Sequence, residues 1–264
     1  MDVSEVRADL LAEQAALDAV VSSLAPEQFD LATPSPRWSV ADQLAHLTYF
    51  DRNAALAITD PDAFTATMHA LFAAAAGGDE GVDAFVLGAW RGLGPDELVA
   101  AWREGRAQLA AAAGTLANDS RIEWYGPSMG SKSFLTARLM EVWAHGQDIV
   151  DTVGAERPAS DRLRHIAQLG YITKKWSYLN RRMEAPEGDV AVVLEAPSGT
   201  TWTWGDDAHN RVTGTAEDFC LVVTQRRHVD DTALQAEGDR ARDWLLRAQA
   251  FAGPATDGPV PRSW

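Results

Sequence analysis

Four long stretches of helical periodicity, followed by alternating strand-like runs, limit this chain to a helical bundle that precedes a smaller mixed domain. Residues 4–24 place Val6, Leu10, Leu11, Ala15, Leu17 and Val21 near a 3.6-residue repeat, and Pro26 closes the segment. Ser39 opens a second run with an acid three residues on, Asp42, in the pattern of a capping box, so a helix is expected over roughly 39–58, stopping at Asp60-Pro61-Asp62. Alanine-rich stretches at 62–76 and 82–90 read as shorter helices around Gly77, Gly78 and Gly81, and 95–117 opens a third long helix with Pro95 in a first-turn position. The stretch WYGPSMG at 124–130 has turn chemistry, and a fourth long helix is expected over about 132–152, ending at Gly154.

The second half changes character. ERPAS at 156–160 reads as a boundary, dividing the chain into a bundle over 1–155 and a small α+β domain over 156–264. A helix is expected from about 160 to 184, with Ile166, Leu169, Ile172, Trp176 and Leu179 as its apolar side. DVAVVLEA, PSGT and TWTWG then spell a strand, a turn and an alternating strand; VTGT begins another before the helical AEDFCLVVTQ. A last helix is expected over 238–252, ahead of a Gly/Pro-rich tail, and no internal repeat is visible. The fold class is α+β.

Charge and cysteine usage narrow the partners. A formal net charge of −15 repels phosphate backbones and anionic membrane surfaces, so neither nucleic acid nor membrane is an expected partner. Cys220 is the single cysteine, which rules out an intrachain disulfide and a cysteine-based metal site and fits a reducing cytoplasm. The opening MDVSEVRADLLAEQ lacks a basic segment followed by an apolar run, and nowhere do about 18 apolar residues run uninterrupted, so an unexported soluble protein is expected.

Six histidines stand at positions 46, 69, 145, 165, 209 and 228. His145 follows Glu141 by four residues, and at about 100° per residue the two side chains project within roughly 40° of each other. They lie along the edge of an apolar stripe made by Leu135, Leu139, Val142, Gly146 and Ile149, so the pair leans toward the bundle interior. A buried carboxylate and imidazole are costly without a compensating partner, and a divalent cation compensates both, although such pairs are more often surface contacts or buried hydrogen bonds. His46 sits between two apolar stripes of its helix, Val40, Leu44, Leu47 and Ile58 on one side and Ala45, Tyr49 and Leu56 on the other, beside Asp42 and Asn53. Asp42 and Asp148 are candidates to orient imidazoles or, more commonly, exposed helix acids. Trp143, Trp176 and Trp244 read as core, and Cys220, within FCLVV, as a buried inert thiol.

The pattern W-S-V-A-D-Q-L-A-H-L at 38–47, joined to E-V-W-A-H-G-Q-D at 141–148, resembles the mycothiol-dependent maleylpyruvate isomerase group of DinB-like proteins. The resemblance covers essentially the whole chain and implies a DinB-like four-helix bundle followed by a sterol-carrier-protein-like domain. It implies a zinc site with water in the open position, whose matching residues here are His46, Glu141 and His145. Three protein ligands suit a catalytic ion, whereas a structural zinc normally has four. The resemblance also implies mycothiol as a low-molecular-weight thiol acting on a small unsaturated or keto acid. V-T-G-T-A-E-D-F at 212–219 with V-V-T-Q-R-R at 222–227 is similar to the segment in which the family carries an active-site arginine, which matches Arg226. Cys220 and Gln225 depart from the family's pattern there, Arg227 stands beside the match, and RRHVDDTAL suggests a divergent subgroup. Isomerase, S-transferase, metal-assisted hydrolase and small-molecule binding protein with a structural or absent metal all stay open.

Overall fold

The computed structural model describes residues 2–262 and divides into two compact units between Arg157 and Pro158. In the first unit the helices are α1 (Val3–Val21), α2 (Val40–Thr59), α3 (Pro61–Ala74), α4 (Gly78–Leu87), α5 (Pro95–Ala113) and α6 (Ser131–Val153). The α2 helix is central, packing against α3, α4, α5 and α6, while α1 packs against α5 and α6. Its start is fixed as the sequence suggests: Ser39 Oγ accepts from the Asp42 amide at 3.2 Å, and the Asp42 carboxylate accepts from the Ser39 amide at 3.1 Å. Leu10, Leu17, Leu44, Leu47, Trp102, Leu109, Phe134, Leu135 and Leu139 fill the space between these helices and are fully buried. A two-stranded hairpin, β1 (Arg121–Ile122) with β2 (Met129–Gly130), pins both ends of the turn-rich segment between α5 and α6.

Two buried ion pairs cross this core. Arg138 on α6 donates to Asp51 on α2 at 2.9 Å, and Gln14 on α1 donates to the other Asp51 oxygen at 3.2 Å. Removing one partner of such a pair strands a buried charge, at a cost of about 3–5 kcal/mol. Arg157 closes the unit by donating to Glu13, to the Trp143 carbonyl and to Gln147.

The second unit contains α7 (Leu163–Ile172), α8 (Lys174–Leu179), β3 (Ala191–Glu195), β4 (Thr201–Trp204), β5 (Arg211–Thr215), α9 (Ala216–Val223), β6 (Gln235–Glu237) and α10 (Asp239–Leu245). Its sheet has the order β4-β3-β5-β6, with β3 antiparallel to β4 and parallel to β5, and β5 antiparallel to β6. Val192, Leu194 and Val212 turn into the core under α7 and α9, which cross at Gly170, where an added Cβ would lie 2.8 Å from Val223.

The expected single helix over 160–184 is interrupted. At Thr173 the backbone leaves the helix, and the Thr173 hydroxyl donates back to the carbonyls of Leu169 and Gly170. The break changes which residues face inward: Ser177 and Tyr178 are buried, whereas Ile172, Trp176 and Leu179 are exposed. Trp176 is therefore not core, in contrast to the buried Trp143 and Trp244. The last helix is also shorter than the expected 238–252, ending at Leu245. Among the described residues no helix is long and apolar enough to cross a membrane.

Candidate metal centre

Packing of α2 against α6 brings together side chains that lie 95 residues apart in sequence. Val40, Leu44 and Leu47 are buried on one side of α2, and Leu135, Leu139, Val142 and Ile149 on α6. That packing sets His46 opposite Glu141 and His145 at the edge of the interface. His46 Nε2 is 3.1 Å from Glu141 Oε2, His145 Nε2 is 3.3 Å from the same oxygen, and the imidazole centroids are 4.2 Å apart. One ligating atom from each of the three lies within 4.8 Å of the others. The side chains keep 13%, 25% and 13% of their surface for His46, Glu141 and His145, so the cluster is enclosed yet open on one side.

The donor set fits a divalent ion. Zinc–nitrogen and zinc–oxygen bonds of about 2.0–2.1 Å in a tetrahedron require neighbouring donors about 3.3 Å apart, close to the two separations seen here. Protonation agrees as well. Burial, with the neighbouring His145 ring and the Arg138 charge, pushes His46 down to about 4, outweighing its hydrogen bond to Glu141. Burial by itself raises Glu141, but hydrogen bonds from His145 and His46 outweigh it and hold its carboxyl well below the usual carboxylate range. At neutral pH the site therefore offers a neutral His46 imidazole and an ionised carboxylate, the forms that ligate metals.

Gln43 decides the remaining ligand. The Thr33 hydroxyl donates to the Trp38 carbonyl at 2.9 Å, so it must accept from Gln43 Nε2, also at 2.9 Å. This fixes the amide and turns Gln43 Oε1 toward His145 Nδ1 at 2.6 Å. A carbonyl oxygen only accepts, so Nδ1 carries a proton and, in the neutral ring, Nε2 presents a lone pair. Nε2 then faces Glu141 Oε2 at 3.3 Å, a separation that either a proton on Nε2 or a divalent ion held by both atoms bridges. Sequence reading missed Gln43, although it lies three residues before His46 on the same helix, inside the motif at 38–47. It pointed instead to two acids. Asp148 Oδ2 is 4.0 Å from His145 Nδ1 and accepts from Ser35 at 3.2 Å, whereas Asp42 is engaged by its helix cap and by Arg91 at 2.8 Å. Neither is an exposed helix acid, since both are buried.

Aromatic rings wall the cluster. The Trp38 ring lies 5.0 Å from His46 and stacks on His145 at 5.8 Å, and Phe50 lies 4.6 Å from His46. Asp83 holds Trp38 in place by accepting from its indole nitrogen at 3.1 Å.

The other singled-out residues lie elsewhere. His69 is exposed on α3, and His165 is buried on α7. Arg226 belongs to the second unit, just after α9, where its guanidinium donates to the Thr224 carbonyl at 2.8 Å; that of Arg227 donates to the Arg226 carbonyl at 2.8 Å. Cys220 is fully buried against the Leu163 carbonyl, and burial pushes its thiol well above the usual range, which suits an inert core residue.

Residues 10–150 match the mycothiol maleylpyruvate isomerase N-terminal domain, and residues 167–242 match the MDMPI C-terminal domain. The chain belongs to the mycothiol maleylpyruvate isomerase family. It is 43% identical over 252 residues to uncharacterized proteins from two strains of Mycobacterium tuberculosis, a match covering 95% of this chain and 96% of each relative. Crystal structures of the mycothiol-dependent maleylpyruvate isomerase and of a histidine-to-alanine mutant of it share the fold. Their TM-scores are 0.56 and 0.58 at 19% and 18% identity, and each match covers 89% of this chain and 93% of that one.

Proposed function

We propose that this family member is a metal-dependent enzyme that uses a low-molecular-weight thiol, mycothiol, on a small unsaturated or keto acid, as an isomerase or S-transferase. The observation that carries the reading is the convergence of His46, Glu141 and His145: with His145 Nδ1 turned to Gln43 at 2.6 Å, ligating atoms of the three lie within 4.8 Å of one another with one side open. A divalent ion held by His46, Glu141 and His145, zinc by the character of the donors, supplies when bound a Lewis acid that lowers the pKa of a thiol at that open side.

The chain's own residues do the rest. Glu141 contributes the one negative charge among the three donors, leaving a bound divalent ion with net positive charge to attract a thiolate or a carboxylate. Trp38 and Phe50 present apolar faces that limit water around the open side and strengthen electrostatics there. Arg226, by its place in the family pattern, is assigned to the substrate carboxylate, which a guanidinium holds with paired donors. The buried, lone Cys220 suits a protein that works in a reducing cytoplasm.

Elemental analysis of protein purified without chelator, followed by turnover of unsaturated keto acids with and without mycothiol, tests the reading. One equivalent of metal and thiol-dependent turnover are expected, with Arg226→Ala impairing turnover of the anionic substrate at unchanged metal content. Turnover without thiol makes the protein a hydrolase. Ligand affinity that survives metal removal, with no turnover, makes it a carrier.

A further inference from the structure

In the second unit α9 ends on a left-handed residue that is not glycine. The Gln225 amide donates to the Val222 carbonyl at 3.0 Å and the Arg226 amide to the Leu221 carbonyl at 2.7 Å, the two bonds that close a helix when the first of these residues turns left-handed. Gln225 takes that place with φ of 58°, a conformation in which a Cβ crowds the backbone and glycine is favoured. Arg226 is the next residue, so the conformation of Gln225 sets the direction in which Arg226 leaves the helix.

The Gln225 side chain compensates for the strain by tying itself to the tail that follows α10. Its Nε2 donates to the Ala248 carbonyl at 3.1 Å and to the Thr256 carbonyl at 2.9 Å, and its Oε1 accepts from the Thr256 hydroxyl. Two carbonyls on the nitrogen fix the orientation of the amide. Gly258 passes over the same side chain, where an added Cβ would lie 3.3 Å from Cβ and Cγ of Gln225. The root of the tail is anchored as well: the Gln249 amide donates to Ser177 Oγ at 3.0 Å, the Ala250 amide to the Val223 carbonyl at 2.8 Å, and Gln249 Nε2 to the Pro254 carbonyl at 3.1 Å. Its far end returns to the same loop, with the Arg262 amide donating to Asp231 at 3.1 Å.

The tail therefore holds the 224–231 segment at Gln225 and at Asp231, and Arg226 and Arg227 lie between the two ties. A polar segment beyond a helix end samples many directions unless it is tied down, and that freedom must be given up when one of its side chains binds a ligand. The loss weighs most on a guanidinium, whose paired donors meet a carboxylate in one fixed geometry.

We propose that Gln225 and the C-terminal tail form a clasp that fixes the direction of Arg226, which makes Gln225 a positioning residue for the carboxylate of the substrate. This rests on the assignment of Arg226 to that carboxylate, and it gives a role to a segment beyond residues 167–242, the stretch that matches the family's C-terminal domain.

Three variants separate the clasp from the turn. Gln225→Gly keeps the left-handed turn and removes the amide, Thr256→Val removes the hydroxyl at nearly constant shape, and Thr256→Ser keeps it. Hydrogen exchange over 224–231, read by mass spectrometry on the full chain, is expected to quicken about three- to tenfold in Gln225→Gly and Thr256→Val, the size of a lost hydrogen bond, and to stay at the wild-type rate in Thr256→Ser. Maleate, a cis-unsaturated dicarboxylate, titrated calorimetrically into zinc-loaded protein, is expected to bind the first two variants about three- to tenfold more weakly at unchanged zinc content, and Thr256→Ser as it binds wild type. Wild-type exchange in both Gln225→Gly and Thr256→Val overturns the clasp. Faster exchange with wild-type maleate affinity, where Arg226→Ala weakens that affinity, overturns the positioning role. If wild type binds no maleate, or Arg226→Ala binds it equally well, the assignment of Arg226 fails and takes the positioning role with it, while the exchange rates, which need no metal, still decide the clasp.

Discussion

Replacing Gln43 by leucine tests the contribution of one buried amide to the proposed metal centre. Leucine matches glutamine closely in volume, and the Thr33 bond to the Trp38 carbonyl survives, so what is lost is the donor 2.9 Å from the Thr33 hydroxyl and the acceptor 2.6 Å from His145 Nδ1. Two consequences follow. The imidazole loses the bond that fixes its rotation and its tautomer, and a neutral ring is then free to carry its proton on Nε2, the atom aimed at Glu141. Losing a partner that orients a metal-ligating histidine typically lowers metal affinity 10–100-fold, about 1.4–2.8 kcal/mol. The stranded Nδ1–H adds a folding cost of about 1–3 kcal/mol, read separately from thermal or urea unfolding. The assay is zinc competition against a chromophoric chelator at pH 7.5, with circular dichroism to confirm that the helices persist. Gln43→Leu protein that folds and binds zinc as tightly as wild type would refute the tautomer argument.

Alanine at His46, Glu141 or His145 leaves two protein donors and should reduce bound zinc below half an equivalent by elemental analysis, while alanine at His69 or His209 should not; retention of zinc by all three site variants sinks the centre. The metal-free protein should lose stability as pH falls. The His46 pKa of about 4 in the fold lies below the 6.5 of the unfolded chain, so its contribution is complete above pH 6.5 and is lost toward pH 4, by up to about 3 kcal/mol. Urea unfolding at pH 7, 5.5 and 4.5 reads this directly, and a wild-type pH slope no steeper than that of His46→Ala contradicts it. Gly170→Ala pushes a methyl to within 2.8–3.0 Å of Val223 and should cost about 1–3 kcal/mol by wedging α7 from α9, so an unchanged unfolding midpoint would mean that this crossing is looser than described.

Where local chemistry decides structure, the sequence was readable. The Ser39–Asp42 box starts α2, Gly154 ends α6 in a left-handed conformation, and the four-residue step from Glu141 to His145 puts both side chains on one face. What escaped depends on partners distant in sequence. Gln43 reads as an ordinary helix residue until the packing of α2 on α6 sets it beside His145, 102 positions away. Thr173 fits a helical repeat, and only its back-bonded hydroxyl and the packing of Tyr178, which donates to Asp243 at 2.9 Å, reveal the break that turns Trp176 outward. β6 is three residues long and exists because β5 offers an edge, a fact invisible in its own composition.

The separation of His46 from Glu141 also bears on how the protein is made. At about 5–20 residues per second of synthesis, the 95 intervening positions delay the carboxylate by about 5–20 seconds after the first imidazole is translated. Throughout that interval the nascent chain offers a lone donor that cannot outcompete water for an ion, unlike closely spaced cysteine clusters, which capture metal as soon as they emerge. Ion uptake at the proposed centre thus waits for the folded helical unit, Met1–Arg157, and whatever delivers the ion in the cell meets that folded unit rather than an open nascent segment.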